Sequence, residues 1–124
     1  MTSPDIPSVP IEAVPAEFDT TAPLGATGTV PAILLDVREP DEWQLGHAPG
    51  AVHIPMADVP ARIDELDYDS QIYVICRQGG RSIQVAKYLE HVGFEVLHVA
   101  GGMVAWQQVG RPLTADGDQQ AKIY

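Results

Sequence analysis

The sequence holds a single cysteine among its 124 residues. An internal disulfide is therefore excluded, and so is a zinc site built from several thiolates. Bases are scarce as well: 7 lysines and arginines stand against 17 acids, a formal net charge of -10. A surface of that sign repels the phosphates of nucleic acids and of anionic membranes, so neither is an expected partner. The first residues, Met1 to Val14, lack both a basic start and a continuous apolar stretch. Those are the marks of a secretory signal or a membrane span. A reducing cytoplasm is the expected location, and it keeps the lone thiol free.

What is present suits one ordinary globular domain. Apolar residues make up 45% of the chain. A chain of this size buries about two-thirds of its unfolded surface, enough for a single core without staples. The charge is unevenly placed. Residues 1–70 carry 13 acids and 2 bases, whereas residues 71–124 carry 4 acids and 5 bases. The acidic half confers solubility. The other half can hold a small anion site inside an acidic shell.

The pattern along the chain alternates strands with short helices. Residues 1–8 are rich in Pro and Ser and read as a flexible arm, and Val9-Pro10-Ile11 as a short edge strand. Residues 20–31 carry Thr, Gly and Pro without periodicity and read as a loop. Ala32 to Leu35 is a continuous apolar run, as a strand buried on both faces requires, and Gln71 to Ile75, with its apolar run Ile72 to Ile75, is the next strand. Ala51 to Ile54 and Glu95 to Val99 are two further strands. Pro40 to Leu45 predicts a short helix with acids toward its start, ended by Gly46. Val59, Ile63 and Leu66 share a face of a second helix over residues 57–66. Ser82 to Val92 is the strongest helical pattern, with Val85, Leu89 and Val92 as its stripe and Gly93 as its stop. Met103 to Val109 is a last short helix, and residues 112–124 read as a polar tail. Such alternation predicts an α/β fold with a central parallel sheet and helices on both faces. Functional groups of such folds gather at the C-terminal ends of strands. Asp36-Val37-Arg38, Cys76 and Gly101-Gly102 all lie there.

Cys76 ends the apolar run Ile72 to Ile75 and opens the segment Cys76-Arg77-Gln78-Gly79-Gly80-Arg81-Ser82. A sulfur there is surrounded by backbone N–H donors, and those donors with the helix dipole favour negative charge. The nucleophilic form of cysteine is the anion. Gly79 and Gly80 permit the left-handed dihedrals of an anion cradle. Arg77 and Arg81 add positive charge, and Arg81, next to the helix start, is the better placed of the two.

Three segments then resemble one family, the rhodanese-like sulfurtransferases. The first is Leu35-Asp36-Val37-Arg38-Glu39-Pro40-Asp41-Glu42-Trp43 with Gly46-His47-Ala48-Pro49-Gly50-Ala51 and His53-Ile54-Pro55. The second is Val74-Ile75-Cys76 through Ser82, and the third is Gly101-Gly102-Met103-Val104-Ala105-Trp106. The resemblance implies a rhodanese-like three-layer sandwich over residues 9–111. It implies an enzyme that carries sulfur as a persulfide on Cys76, from a sulfane-sulfur donor such as thiosulfate to a thiol or cyanide-type acceptor. No cofactor and no metal is implied. Donor and acceptor are small molecules, or else protein partners if the chain is a sulfur-carrier or docking module. A cysteine phosphatase or arsenate reductase relative is a third reading. The phosphatases, however, place one more residue between cysteine and arginine than the four between Cys76 and Arg81, and Ile75 stands where their cysteine follows a histidine.

The supporting residues carry alternative roles. Asp36 either orients the loop or, as a strand-end carboxylate, holds Arg38. Arg38 and Glu39 read as a structural ion pair. Arg77 either faces the anion or is solvated. Trp106 is expected to pack under the loop rather than touch substrate. His47 supports a turn, and neither it nor His53 is expected in catalysis. His91 and His98 carry no signal.

Overall fold

A computed structural model describes residues 6–15, 32–117 and 120–123. The expected loop at 20–31 lies outside the described residues. Five strands, β1 (Ser8–Val9), β2 (Ala32–Asp36), β3 (Val52–His53), β4 (Gln71–Ile75) and β5 (Glu95–Val99), form one sheet in the order β1-β5-β4-β2-β3. Every pairing is parallel. The central strands β2 and β4 run side by side over their full length, from Ala32 opposite Gln71 to Asp36 opposite Ile75.

Alternation along the strands divides the core in two, because successive side chains point to opposite faces. Ile72, Val74 and Cys76 face one side with Leu35, Val37 and Val96, and α2 (Gly80–His91) covers them with Val85, Ala86 and Leu89. Tyr73 and Ile75 face the other side with Leu34 and Val99, covered by Met103 and Trp106 of α3 (Gly102–Gln108) and by Ile11 and Val14. The result is the expected three-layer α/β sandwich with Cys76 on the α2 side. The short helix α1 (Pro40–Leu45) starts with Pro40 and a capping box in which Glu39 and Glu42 exchange side-chain and backbone contacts.

Some expectations need correction. Residues 57–66 do not form an α-helix. They make two 3₁₀ segments, Met56–Asp58 and Pro60–Glu65, the second kinked at Arg62. The spacing of Val59, Ile63 and Leu66 suits a 3.6-residue period, but Pro60 removes a donor an α-helix needs and the backbone breaks at Arg62, so local chain geometry overrides the pattern. The edge strand is Ser8–Val9, and Ile11–Ala13 is a 3₁₀ turn. Within the expected arm, Ile6 is buried and the Pro7 carbonyl accepts the His98 N–H at 2.8 Å. The expected polar tail lies against the domain. Thr114 bridges His47, the Lys122 N–H donates to the Leu45 carbonyl at 2.9 Å, and Ile123 is buried. Among the described residues no helix is long and apolar enough to cross a membrane.

Candidate active site

The sulfur of Cys76 sits inside the loop that follows β4, with the residue 1% exposed. The Gly79 N–H donates to Sγ at 3.0 Å. The thiol donates to Ser82 Oγ at 3.2 Å, and the Ser82 hydroxyl in turn donates to the Gly79 carbonyl at 3.2 Å. The loop can fold back this tightly because Gly79 has φ 140°, a value side chains rarely tolerate. Gly80 has no such need. It is the first residue of α2, and a Cβ there meets nothing within 4 Å. The helix therefore begins two residues before Ser82, which brings its first turn over the sulfur. The positive end of a helix favours an anion at that place.

The other side of the loop is held by α3. The Met103 N–H donates to the Cys76 carbonyl at 2.8 Å and the Val104 N–H to the Arg77 carbonyl at 3.0 Å. These satisfy donors that a helix start otherwise leaves open. The approach needs Gly102, whose φ is 59° and where a Cβ falls 2.5 Å from both carbonyl oxygens. Trp106, fully buried, packs in the core with Ile75 and Met103, and its indole N–H donates to the Pro112 carbonyl at 2.8 Å.

Asp36 and Arg38 form a buried fork. Arg38 Nε donates to Asp36 Oδ1 at 2.9 Å and Nη2 to Oδ2 at 2.7 Å, while the Asp36 carboxylate also accepts the Arg38 backbone N–H. The guanidinium continues to the Gly46 carbonyl at 2.7 Å. The partner of Arg38 is thus Asp36 and not Glu39, which caps α1. A two-residue separation at a strand end lets the side chains meet head-on, whereas Glu39 leads away into the helix. The strand end that carries this fork is tied to β4: the Val37 N–H donates to the Ile75 carbonyl at 3.0 Å, one residue before the cysteine.

The arginine expected to face the anion is already engaged. Arg81 Nη1 meets Glu42 Oε1 at 2.6 Å and Nη2 meets Oε2 at 3.0 Å. Donation from Arg81 holds the Glu42 carboxyl below the usual carboxylate range. The same pairing raises Arg81, and the charge of Cys76 adds a smaller effect in that direction. Arg81 thus contributes positive potential at the loop while pinned to α1. Arg77 is half-buried and Gln78 exposed at the loop's turn.

Two histidine arrangements escaped the sequence reading. Trp43 lies stacked between His47 at 3.6 Å and His53 at 4.7 Å, which braces the segment behind Arg38. His47 Nδ1 also lies 2.7 Å from the Trp43 carbonyl. More consequential is His98 on β5, whose Nε2 lies 3.1 Å from the Gly79 carbonyl and whose Nδ1 lies 3.1 Å from Ser8 Oγ. The available signal was register. In parallel strands His98 stands opposite Val74, and alternation sends it to the same face as Cys76.

Comparison with known proteins agrees with this architecture. The model of the rhodanese-like domain family matches residues 20–109. YtwF of Bacillus subtilis, provisionally named a sulfurtransferase, is 47% identical over 79 residues, 64% of this chain and 77% of that protein. YrkF of the same organism, provisionally named a sulfur carrier protein, is 37% identical over 102 residues, which are 82% of this chain but only 51% of YrkF. Among solved structures, a rhodanese-like domain protein from Staphylococcus aureus superposes with a TM-score of 0.65 at 32% identity, covering 75% of this chain and 89% of its own. With the cysteine loop, the buried fork and the glycine-started last helix in place, the chain belongs to the rhodanese-like domain family.

Proposed function

We propose that this domain is a sulfurtransferase that carries a sulfane sulfur on Cys76. The supporting observation is the setting of Sγ: a lone sulfur at the end of β4, with an amide donor at 3.0 Å, a hydroxyl at 3.2 Å and a helix start above it. The Cys76 thiolate attacks the outer sulfur of a donor such as thiosulfate. The donor's S–S bond breaks and sulfite leaves with the electron pair, while the new bond makes Cys76 a persulfide. An acceptor thiolate or cyanide then attacks the outer persulfide sulfur, and Cys76 leaves as thiolate. The loop faces an anion at both stages, which suits amide donors and the Arg81 charge. Cys76, with Arg77, Gln78, Gly79, Gly80, Arg81 and Ser82 around it, forms the reacting loop, and Asp36, Arg38 and Trp106 support it. Steady-state transfer from thiosulfate to cyanide, measured for the native chain and Cys76→Ser, tests the reading. Transfer is expected to vanish in the variant, and a variant that retains it refutes the reading.

A second reading has a specific support. The similarity to YrkF supports a carrier that receives and delivers sulfur through protein partners. In that case Cys76 takes up sulfur from thiosulfate but small-molecule acceptors discharge it slowly.

A further inference from the structure

The Gly79 carbonyl is approached by more donors than it can serve. The Ile83 N–H lies at 3.3 Å, the Ser82 hydroxyl at 3.2 Å and His98 Nε2 at 3.1 Å. A carbonyl oxygen has two lone pairs. The Ile83 N–H is fixed by the helix. The second place is therefore contested between His98 and Ser82, and Ser82 has an alternative acceptor, the Cys76 sulfur at 3.2 Å.

The His98 ring is set for this contest. A carbonyl only accepts, so Nε2 carries the proton, and in the neutral ring Nδ1 then accepts from the Ser8 hydroxyl at 3.1 Å. The backbone holds the ring too, since the His98 N–H donates to Pro7 at 2.8 Å and β5 pairs with β1 on that side. Such a ring leaves little freedom to give the Gly79 carbonyl away.

We propose that His98 is a positioning residue for sulfur transfer. Its Nε2–H occupies the Gly79 carbonyl and thereby releases the Ser82 hydroxyl to donate to the anionic Cys76 sulfur. When the thiol gives up its proton, the Ser82 O–H turns from Gly79 to Sγ, and no buried group is left unpaired. Without His98 the same turn strips the carbonyl of a donor. The proposal rests on the reading of Cys76 as the nucleophile, but it concerns the reactivity of the sulfur and not the identity of the donor.

The test is the rate of Cys76 alkylation by iodoacetamide at one fixed pH, with no sulfur donor present, alongside thiosulfate turnover and thermal melting. His98→Leu fills the space without a donor and should slow alkylation about three- to tenfold, the range of one neutral hydrogen bond. His98→Gln returns an N–H at similar reach and should stay within about twofold of the native chain on the same grounds. In a Ser82→Ala background, His98→Leu should bring no further loss, because the group it acts through is gone. A loss that persists in the Ser82→Ala background overturns the proposal, as does a glutamine variant as slow as the leucine one. Should His98→Leu fail to fold, His98→Ala takes its place in the same cycle with the same criteria. Failure of the assigned activity looks different: native alkylation and its dependence on His98 hold, but thiosulfate loads no sulfur.

Discussion

Arg38 carries a full charge where almost no water reaches, and Asp36 meets it there with both oxygens. Replacing one partner leaves the other charged and buried without its opposite charge, which typically costs about 3–5 kcal/mol. Arg38→Ala should therefore lose about that much stability in urea melts, and a loss under about 1 kcal/mol would mean the fork is only a surface-type pair. The two loop glycines make a sharper contrast. At Gly102 an added Cβ runs into the Cys76 and Arg77 carbonyls at a positive φ, while at Gly80 it meets open space. Gly102→Ala should push α3 off the loop and impair both folding and transfer. Gly80→Ala should be neutral or stabilise by about 0.4–1 kcal/mol through the unfolded chain. The sequence reading assigned special backbone freedom to Gly79 and Gly80 alike. A glycine pair reveals a tight turn, but not which member makes it. Asp36 was legible as a structural carboxylate because it ends an apolar strand. His98 was not, since one histidine in a strand of mostly apolar residues resembles any half-buried position.

Elements locate the chemistry. β2 and β4 were readable from their apolar runs because a strand covered on both faces has no polar side to interrupt it, whereas β5 carries Glu95 and His98 and was readable only from its place after the Gly93 stop. α2 was readable from the stripe of Val85 and Leu89, though it begins at Gly80, since helix starts rest on backbone geometry more than on pattern. The link between α1 and α2 was not readable, because Glu42 and Arg81 are 39 residues apart. That link has a pH signature. Glu42 is held below its usual range in the folded chain, so the bridge stabilises fully above the ordinary carboxylate value and fades as pH falls through the folded one. Glu42→Gln should thus lower stability by about 0.2–1 kcal/mol at neutral pH. The difference from the native chain should close well below about pH 4.3. Urea midpoints at neutral and strongly acid pH check this, and a gap that widens in acid contradicts it. The same engagement bears on the third sequence reading. With its guanidinium forked onto Glu42 and one residue fewer in the loop, Arg81 is poorly placed to clasp a phosphoryl group. An aryl phosphate should not be turned over above background, and a robust rate of phosphate release would reverse that ranking.

At the scale of the whole molecule, the sheet order places the ends of β2, β4 and β5 side by side, so the buried fork, the sulfur and the start of α3 share one edge of the sandwich. The acidic first half of the sequence was legible at once, yet the packing of the last residues was not. Thr114, Lys122 and Ile123 dock through backbone bonds and one buried side chain, and a polar composition conceals both. In the proposed reaction the Cys76 Sγ is the atom on which sulfur rests between donor and acceptor. Intact mass spectrometry after incubation with thiosulfate and removal of the excess measures that directly. The native chain should gain the mass of one sulfur atom, lose it on treatment with cyanide or a small thiol, and Cys76→Ser should gain nothing. A native chain that stays at its original mass, or a Cys76→Ser variant that acquires the sulfur, would contradict the account.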